Sequence, residues 1–150
     1  MTYSTNWSRF VIRYALAVVA VAVFIYVMQK FLNYNMRSSG ATLVPIILVS
    51  MMEGTAYAKA ERALPKGAWA WQQSVLFGLV GMGVTMGCSA IFMSALPGML
   101  GYFLTPVGFS ALSIVTGVMM VFFVLGARFS FWMGARNELK AQARNAGHQE

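Results

Sequence analysis

Long apolar runs separated by short polar stretches divide this chain into four segments. The first covers residues 10–28, rich in Ala and Val, and closes at Gln29-Lys30; Asn33, Asn35 and Ser38-Ser39-Gly40 then mark a polar turn. The second is strongly apolar only over 41–52 before Glu53 interrupts it. Gly54-Thr55-Ala56-Tyr57-Ala58 carry it on without a breaker until Pro65, so a helix is expected over 41–62. The alternative for this stretch is an interfacial or re-entrant segment. A third run covers 71–94, and a fourth, after turn signals at Pro97-Gly98, Gly101 and Pro106, covers 108–132. Residues 135–146 are polar but good helix formers, which predicts a short C-terminal helix of their own before an end at Gly147-His148-Gln149-Glu150.

A helical crossing takes about 20 apolar residues. The pattern therefore predicts one all-α integral membrane domain with four transmembrane helices (10–28, 41–62, 71–94 and 108–132) and a polar tail over 135–150. Composition agrees: the chain is 59% hydrophobic and 10% charged, where soluble domains carry about 25% charged residues. In 150 residues, no room remains for a separate soluble domain.

The net charge of +7 would suggest nucleic acid in a soluble protein. Here the cations flank apolar runs, and membrane orientation is the simpler cause. With the N-terminus inside, the inner side holds Arg9, Arg13, Lys59, Arg62, Lys66, Arg128, Arg136, Lys140 and Arg144, while the outer side holds Lys30 and Arg37. Trp7, Trp69, Trp71 and Trp132 fall at the same inner interface, and Tyr26, Tyr34 and Tyr102 mark the outer one. The expectation is a bacterial inner-membrane protein with both termini cytoplasmic and a short basic cytoplasmic C-terminal helix. Ala20-Val21-Ala22 is a cleavage-like triplet, but more apolar residues follow it, so the first run reads as an uncleaved anchor.

Glu53 is the first candidate for chemistry, because an acid inside an apolar crossing is costly. By helical rise it lies roughly 13 Å from the inner end of its helix, with Arg13 about 9 Å and Arg128 about 6 Å in from theirs. Glu53, Arg13 and Arg128 are thus expected to form a buried charge cluster. It is a proton- or cation-binding site, or a simple neutralisation of arginine, or Glu53 faces the inner headgroups while Arg13 and Arg128 snorkel.

The third helix carries Ser74, Gly78, Gly81, Thr85 and Ser89 on one small-residue stripe, and Gly83 and Gly87 form a GxxxG pair on another face. Such faces let backbones approach closely, within the bundle or against another protein. Ser110, Ser113 and Gly117 make a weaker counterpart in the fourth helix. The uncharged stretch 95–107, with Leu96, Met99, Leu100, Tyr102, Phe103 and Leu104, is expected to lie in the outer interface or under a neighbouring protein. Arg136, Lys140 and Arg144, four residues apart, could meet anionic lipid or a cytoplasmic partner.

The 12 methionines read as adaptable packing. His148 is the one histidine and lies in the tail, which leaves no bis-histidine haem site in the membrane. Cys88 is the one cysteine. No Ser/His/Asp set, phosphate-binding Gly loop or acidic pair at metal spacing is present; Glu53 and Glu61 lie eight residues apart. Neither enzymatic activity nor a cofactor is expected.

Met51-Met52-Glu53-Gly54, Tyr57, Arg62, Pro65 and Trp69 resemble the centre of an uncharacterised family of short four-helix bacterial inner-membrane proteins. The likeness is closest over 45–76 and implies no activity. Small multidrug exporters share the size and a single membrane glutamate, but theirs lies in the first helix, where this chain has Arg13 and no acid. The expected function is a non-catalytic accessory or assembly subunit, packing against a membrane-protein partner in a larger complex such as a respiratory or photosynthetic one, or against copies of itself. The alternative is a small proton- or cation-coupled transporter or channel component using Glu53.

Overall fold

The computed structural model describes residues 3–32, 39–94, 101 and 105–147. Among these the chain is helical apart from short connections and the segment before the first helix, and has no strand. Helix α1 is Trp7–Leu32, a 3-10 turn at Ser39–Leu43 leads into α2 at Val44–Glu61, α3 is Gly67–Ser94 and α4 is Pro106–Gly147. The expected turn residues Asn33, Asn35 and Ser38, together with Arg37, Tyr34, His148 and nearly all of the apolar stretch 95–104, lie outside the described residues.

Local chemistry sets these boundaries. Asn6 caps α1, its Oδ1 accepting from the Arg9 amide at 3.1 Å, and Thr105 caps α4, its Oγ1 accepting from the Gly108 amide at 3.1 Å. Pro45 and Pro106 stand in first turns, where a missing N–H costs no helical bond. Helix α2 ends on Arg62, whose left-handed backbone (φ 48°) returns its N–H to the Ala58 carbonyl at 3.0 Å. Lys66 and Gly67 then open α3 directly after Pro65.

All four helices are long and apolar enough to cross a membrane, the second over Ala41–Glu61. Glu53 does not break α2, which runs on for two turns beyond it. One expected boundary is corrected. The tail 135–147 is no separate helix but the unbroken continuation of α4, which is 42 residues long. Hydropathy marks where apolar side chains end, whereas the hydrogen-bond ladder needs only residues that tolerate helix, and the tail supplies them.

Around the bundle the neighbours run α1, α2, α4, α3 and back to α1, with α2 and α3 on a diagonal. Contacts between residues 47 and 126, and between 51 and 134, show that α2 and α4 run in the same direction. At the end where the termini gather, Phe10, Tyr14, Tyr57, Phe77, Phe123 and Phe131 are fully buried or nearly so. Phe10 stacks on Phe77 (centroids 4.6 Å apart) and Tyr57 on Trp69 (5.0 Å), while Phe131 lies within 6.0 Å of Tyr57, Trp69 and Phe77. In lipid such packing replaces the hydrophobic drive that would hold a soluble core.

Candidate functional site

Glu53 faces the interior of the bundle and is 3% exposed. Its two oxygens have different partners. Oε2 accepts a 2.6 Å hydrogen bond from the Tyr3 hydroxyl, and Oε1 faces the Arg13 guanidinium at 3.4 Å. The short bond to a carboxylate is the tighter interaction, and the longer pair neutralises charge.

Tyr3 lies lengthwise along α2. Its amide donates to Glu61 Oε1 at 2.8 Å, its ring meets Tyr57 edge-on at 5.5 Å, and its hydroxyl reaches Glu53. The eight-residue separation of the two acids, unsuited to a shared metal, matches the length of one tyrosine residue laid across two helical turns. Two residues on, Thr5 donates to Gln73 of α3 at 3.1 Å, so the segment before α1 straps α2 to α3. Burial, reinforced by the hydrogen bond to Glu53 and its negative charge, pushes the Tyr3 phenol well above its ordinary pKa and keeps it a donor. With both oxygens engaged, Glu53 acts here as a staple between the N-terminal segment, α1 and α2.

Arg128 does not join this cluster. Its guanidinium stacks over Trp71 of α3, 5.7 Å from the ring centroid, and no carboxylate pairs with it among the described residues. Depth along the helices places all three charges in the same half of the bundle, but depth does not fix the direction a side chain takes around its helix.

The two small-residue faces of α3 separate. Ser74, Gly78 and Gly81 are buried: a methyl on Gly78 would come 2.7 Å from Val124, and one on Gly81 would come 3.0 Å from Ile46 and 3.2 Å from Tyr14. Thr85 shares a 2.9 Å hydrogen bond with the Tyr14 hydroxyl. Ser89 lies exposed at the far end of that stripe. Gly83 and Gly87 are exposed, and a methyl on either would meet nothing within 4 Å. In α4, Ser110, Ser113 and Gly117 are exposed, the two hydroxyls turned back onto the carbonyls of Val107 and Phe109.

The tightest helix contact was not expected. A methyl on Gly54 would overlap the Phe131 carbonyl, and one on Gly134 would overlap the Met51 carbonyl, so α2 and α4 touch backbone to backbone. Ser50-Gly54-Ala58 on α2 and Gly126-Ser130-Gly134 on α4 repeat small residues every fourth position, and this was the readable signal. Ser50 serves there by its size, for its buried hydroxyl has no hydrogen-bond partner among the described residues.

At the opposite end the helices part. Two open apolar grooves of about 410 and 370 Å³ flank the last turns of α3, the first against α1 and the second against α4; Thr42, Thr85 and Ser89 border both, and Cys88 borders the first. No group of three His, Cys, Asp or Glu side chains gathers among the described residues. Comparison with protein-family models, curated proteins and solved structures gives no match for this chain.

Proposed function

We propose that this chain is a non-catalytic accessory or assembly subunit of the bacterial inner membrane, with both termini cytoplasmic. The observation that carries the reading is the uncovered Gly83/Gly87 face. This bundle covers Gly78 and Gly81 yet leaves the second glycine pair bare, with exposed Leu76, Leu79 and Met86 close by on the same helix. In lipid, a bare glycine pair lets a partner helix approach as closely as α2 and α4 approach each other. The orientation rests on the bias of Lys and Arg toward the terminal end and on the tryptophans gathered there.

Purification of the tagged chain in mild detergent tests this. Wild type is expected to bring down a larger membrane complex, and the Gly83→Leu/Gly87→Leu double variant to lose it while staying folded. Recovery of the chain alone from wild type, or equal recovery of the complex with both, overturns the reading. Cysteines introduced at Asn6 and Gln142 are expected to be labelled from the cytoplasmic side alone.

The transport reading draws on the burial of Glu53, and requires that carboxylate to leave Tyr3 and Arg13 during a cycle. A pH-dependent flux abolished by Glu53→Gln, in a variant that keeps its complex, would establish it in place of the subunit reading.

A further inference from the structure

Arg13 and Arg128, the arginines set deepest inside the spans, differ in one respect. Arg13 has Glu53, whereas Arg128 has no carboxylate among the described residues. Glu53, the buried acid of α2, is already engaged by Tyr3 and Arg13. Arg128 lies one turn before Trp132, on the membrane side of the tryptophan belt, where an unpaired charge is expensive. It reaches sideways over Trp71, which is exposed, and Leu125 and Phe129, a turn or less away on α4, are exposed as well. The guanidinium therefore lies on the flank between α3 and α4 that faces lipid.

We propose that this flank is a binding site for an anionic phospholipid, whose phosphate takes the place of the missing carboxylate. Arg128 grips the phosphate through its planar fork of donors, and stacking on Trp71 fixes the direction of that fork. Arg136, two turns further along α4 and stacked over Trp132 at 5.1 Å, stands at headgroup height and supplies the second cation. Below them, exposed Val75 and Leu79 of α3 and Leu125, Phe129 and Phe122 of α4 offer an uncharged apolar surface to the acyl chains. Cations above an exposed apolar surface match an amphiphile with a negative head, and basic sites between helices hold anionic headgroups in this way. The occupant is a bilayer lipid and not free phosphate, because the exposed apolar side chains beneath the cations contribute to binding.

Native mass spectrometry of the full chain in uncharged detergent, titrated with phosphatidylglycerol or with phosphatidylcholine of the same acyl chains, tests the site. The expected result is retention of phosphatidylglycerol over phosphatidylcholine, weakened about tenfold by Arg128→Gln, since one charge-assisted contact is lost. Millimolar inorganic phosphate is expected not to displace the lipid. Should Arg128→Gln fail to fold, Arg128→Lys serves in its place, and an ammonium without the fork is expected to weaken binding about threefold. Equal retention of the two lipids, an affinity unchanged in the variant that folds, or displacement by phosphate overturns the proposal. So does loss of a copurifying acidic protein, with lipid retention unchanged, in the Arg128 variant.

Discussion

The half of the bundle that holds the termini and the half at the opposite end are built from the same four helices, yet they pack differently. In the first, aromatic rings interlock, α2 and α4 touch through glycines, and Tyr3 straps α2 from outside. In the second, Val19, Phe24, Ile91, Val107 and Ile114 point outward, and two grooves open beside α3. Side-chain size accounts for much of the contrast. Glycines that meet a neighbouring backbone make one end dense, and glycines that meet nothing leave α3 bare. The dense half fixes the geometry of the helices; the open half and the bare face remain free to meet lipid or protein.

The largest effect is expected where backbones touch. A valine at Gly134 would drive its side chain into the Met51 carbonyl, which has no rotamer by which to yield. Helices α2 and α4 would have to separate, and the aromatic contacts of Phe131 with Tyr57 and Trp69 would open with them. Gly134→Val is expected to destabilise the chain by about 3 kcal/mol or more, at the upper end of overpacking costs. Unfolding in mixed micelles of increasing SDS content checks this. A loss below 1 kcal/mol would show, on the usual scale of substitutions, that the contact is not tight.

Why the dense half was only partly legible follows from what a sequence encodes. The spans were readable because lipid forces apolar runs, and Glu53 and Arg13 because charges interrupt them. The stacking of Arg128 on Trp71 is not legible, since a rise of 1.5 Å per residue gives depth and not azimuth. Tyr3 left no trace in any periodic pattern: it precedes the first apolar run, and although Glu53, Tyr57 and Glu61 share one face of α2 by their spacing, only the fold brings Tyr3 to that face. The stripes of α3 were visible as stripes, but which of them faces inward depends on α1 and α4. The small-residue repeat of α2 and α4 was visible too, though the polar look of Gly54-Thr55 and the aromatic look of Phe129 to Trp132 hid it.

An intermediate effect is expected at the strap. Tyr3→Phe keeps the ring against Tyr57 and Trp69 and removes only the donor to Glu53. The cost is expected to be about 1–2 kcal/mol, the range for a hydrogen bond to a charged group discounted for partial exposure. Amide exchange should rise at Thr5 and nearby and stay unchanged at Phe123. The pH dependence has a definite sign. Because the folded phenol titrates above the unfolded value near 10, the contribution of Tyr3 is fully present below that value and falls as pH rises past it. Wild type and Tyr3→Phe should therefore converge in stability above about pH 10 and differ by a constant amount below it. A gap that widened with alkali would show that the hydroxyl does not donate to Glu53.

The smallest effect is the one that separates the two halves most cleanly. Gly83→Ala adds a methyl to the same helix that carries Gly78, but at Gly83 the methyl enters open space, whereas at Gly78 it would strike Val124. Monomer stability is expected to change by no more than about 0.5 kcal/mol, the usual range for a surface position. The sign should favour alanine, which loses less backbone freedom in a helix than glycine does. The informative arm is association: if α3 meets a partner backbone at Gly83, the same methyl that leaves the isolated bundle unchanged must hold that partner away. Gly83→Ala should then weaken recovery of the complex without moving the SDS midpoint of the monomer. A shift in that midpoint comparable to the shift for Gly78→Ala would mean that Gly83 packs inside the bundle, and the distinction between a covered and a bare face of α3 would fail.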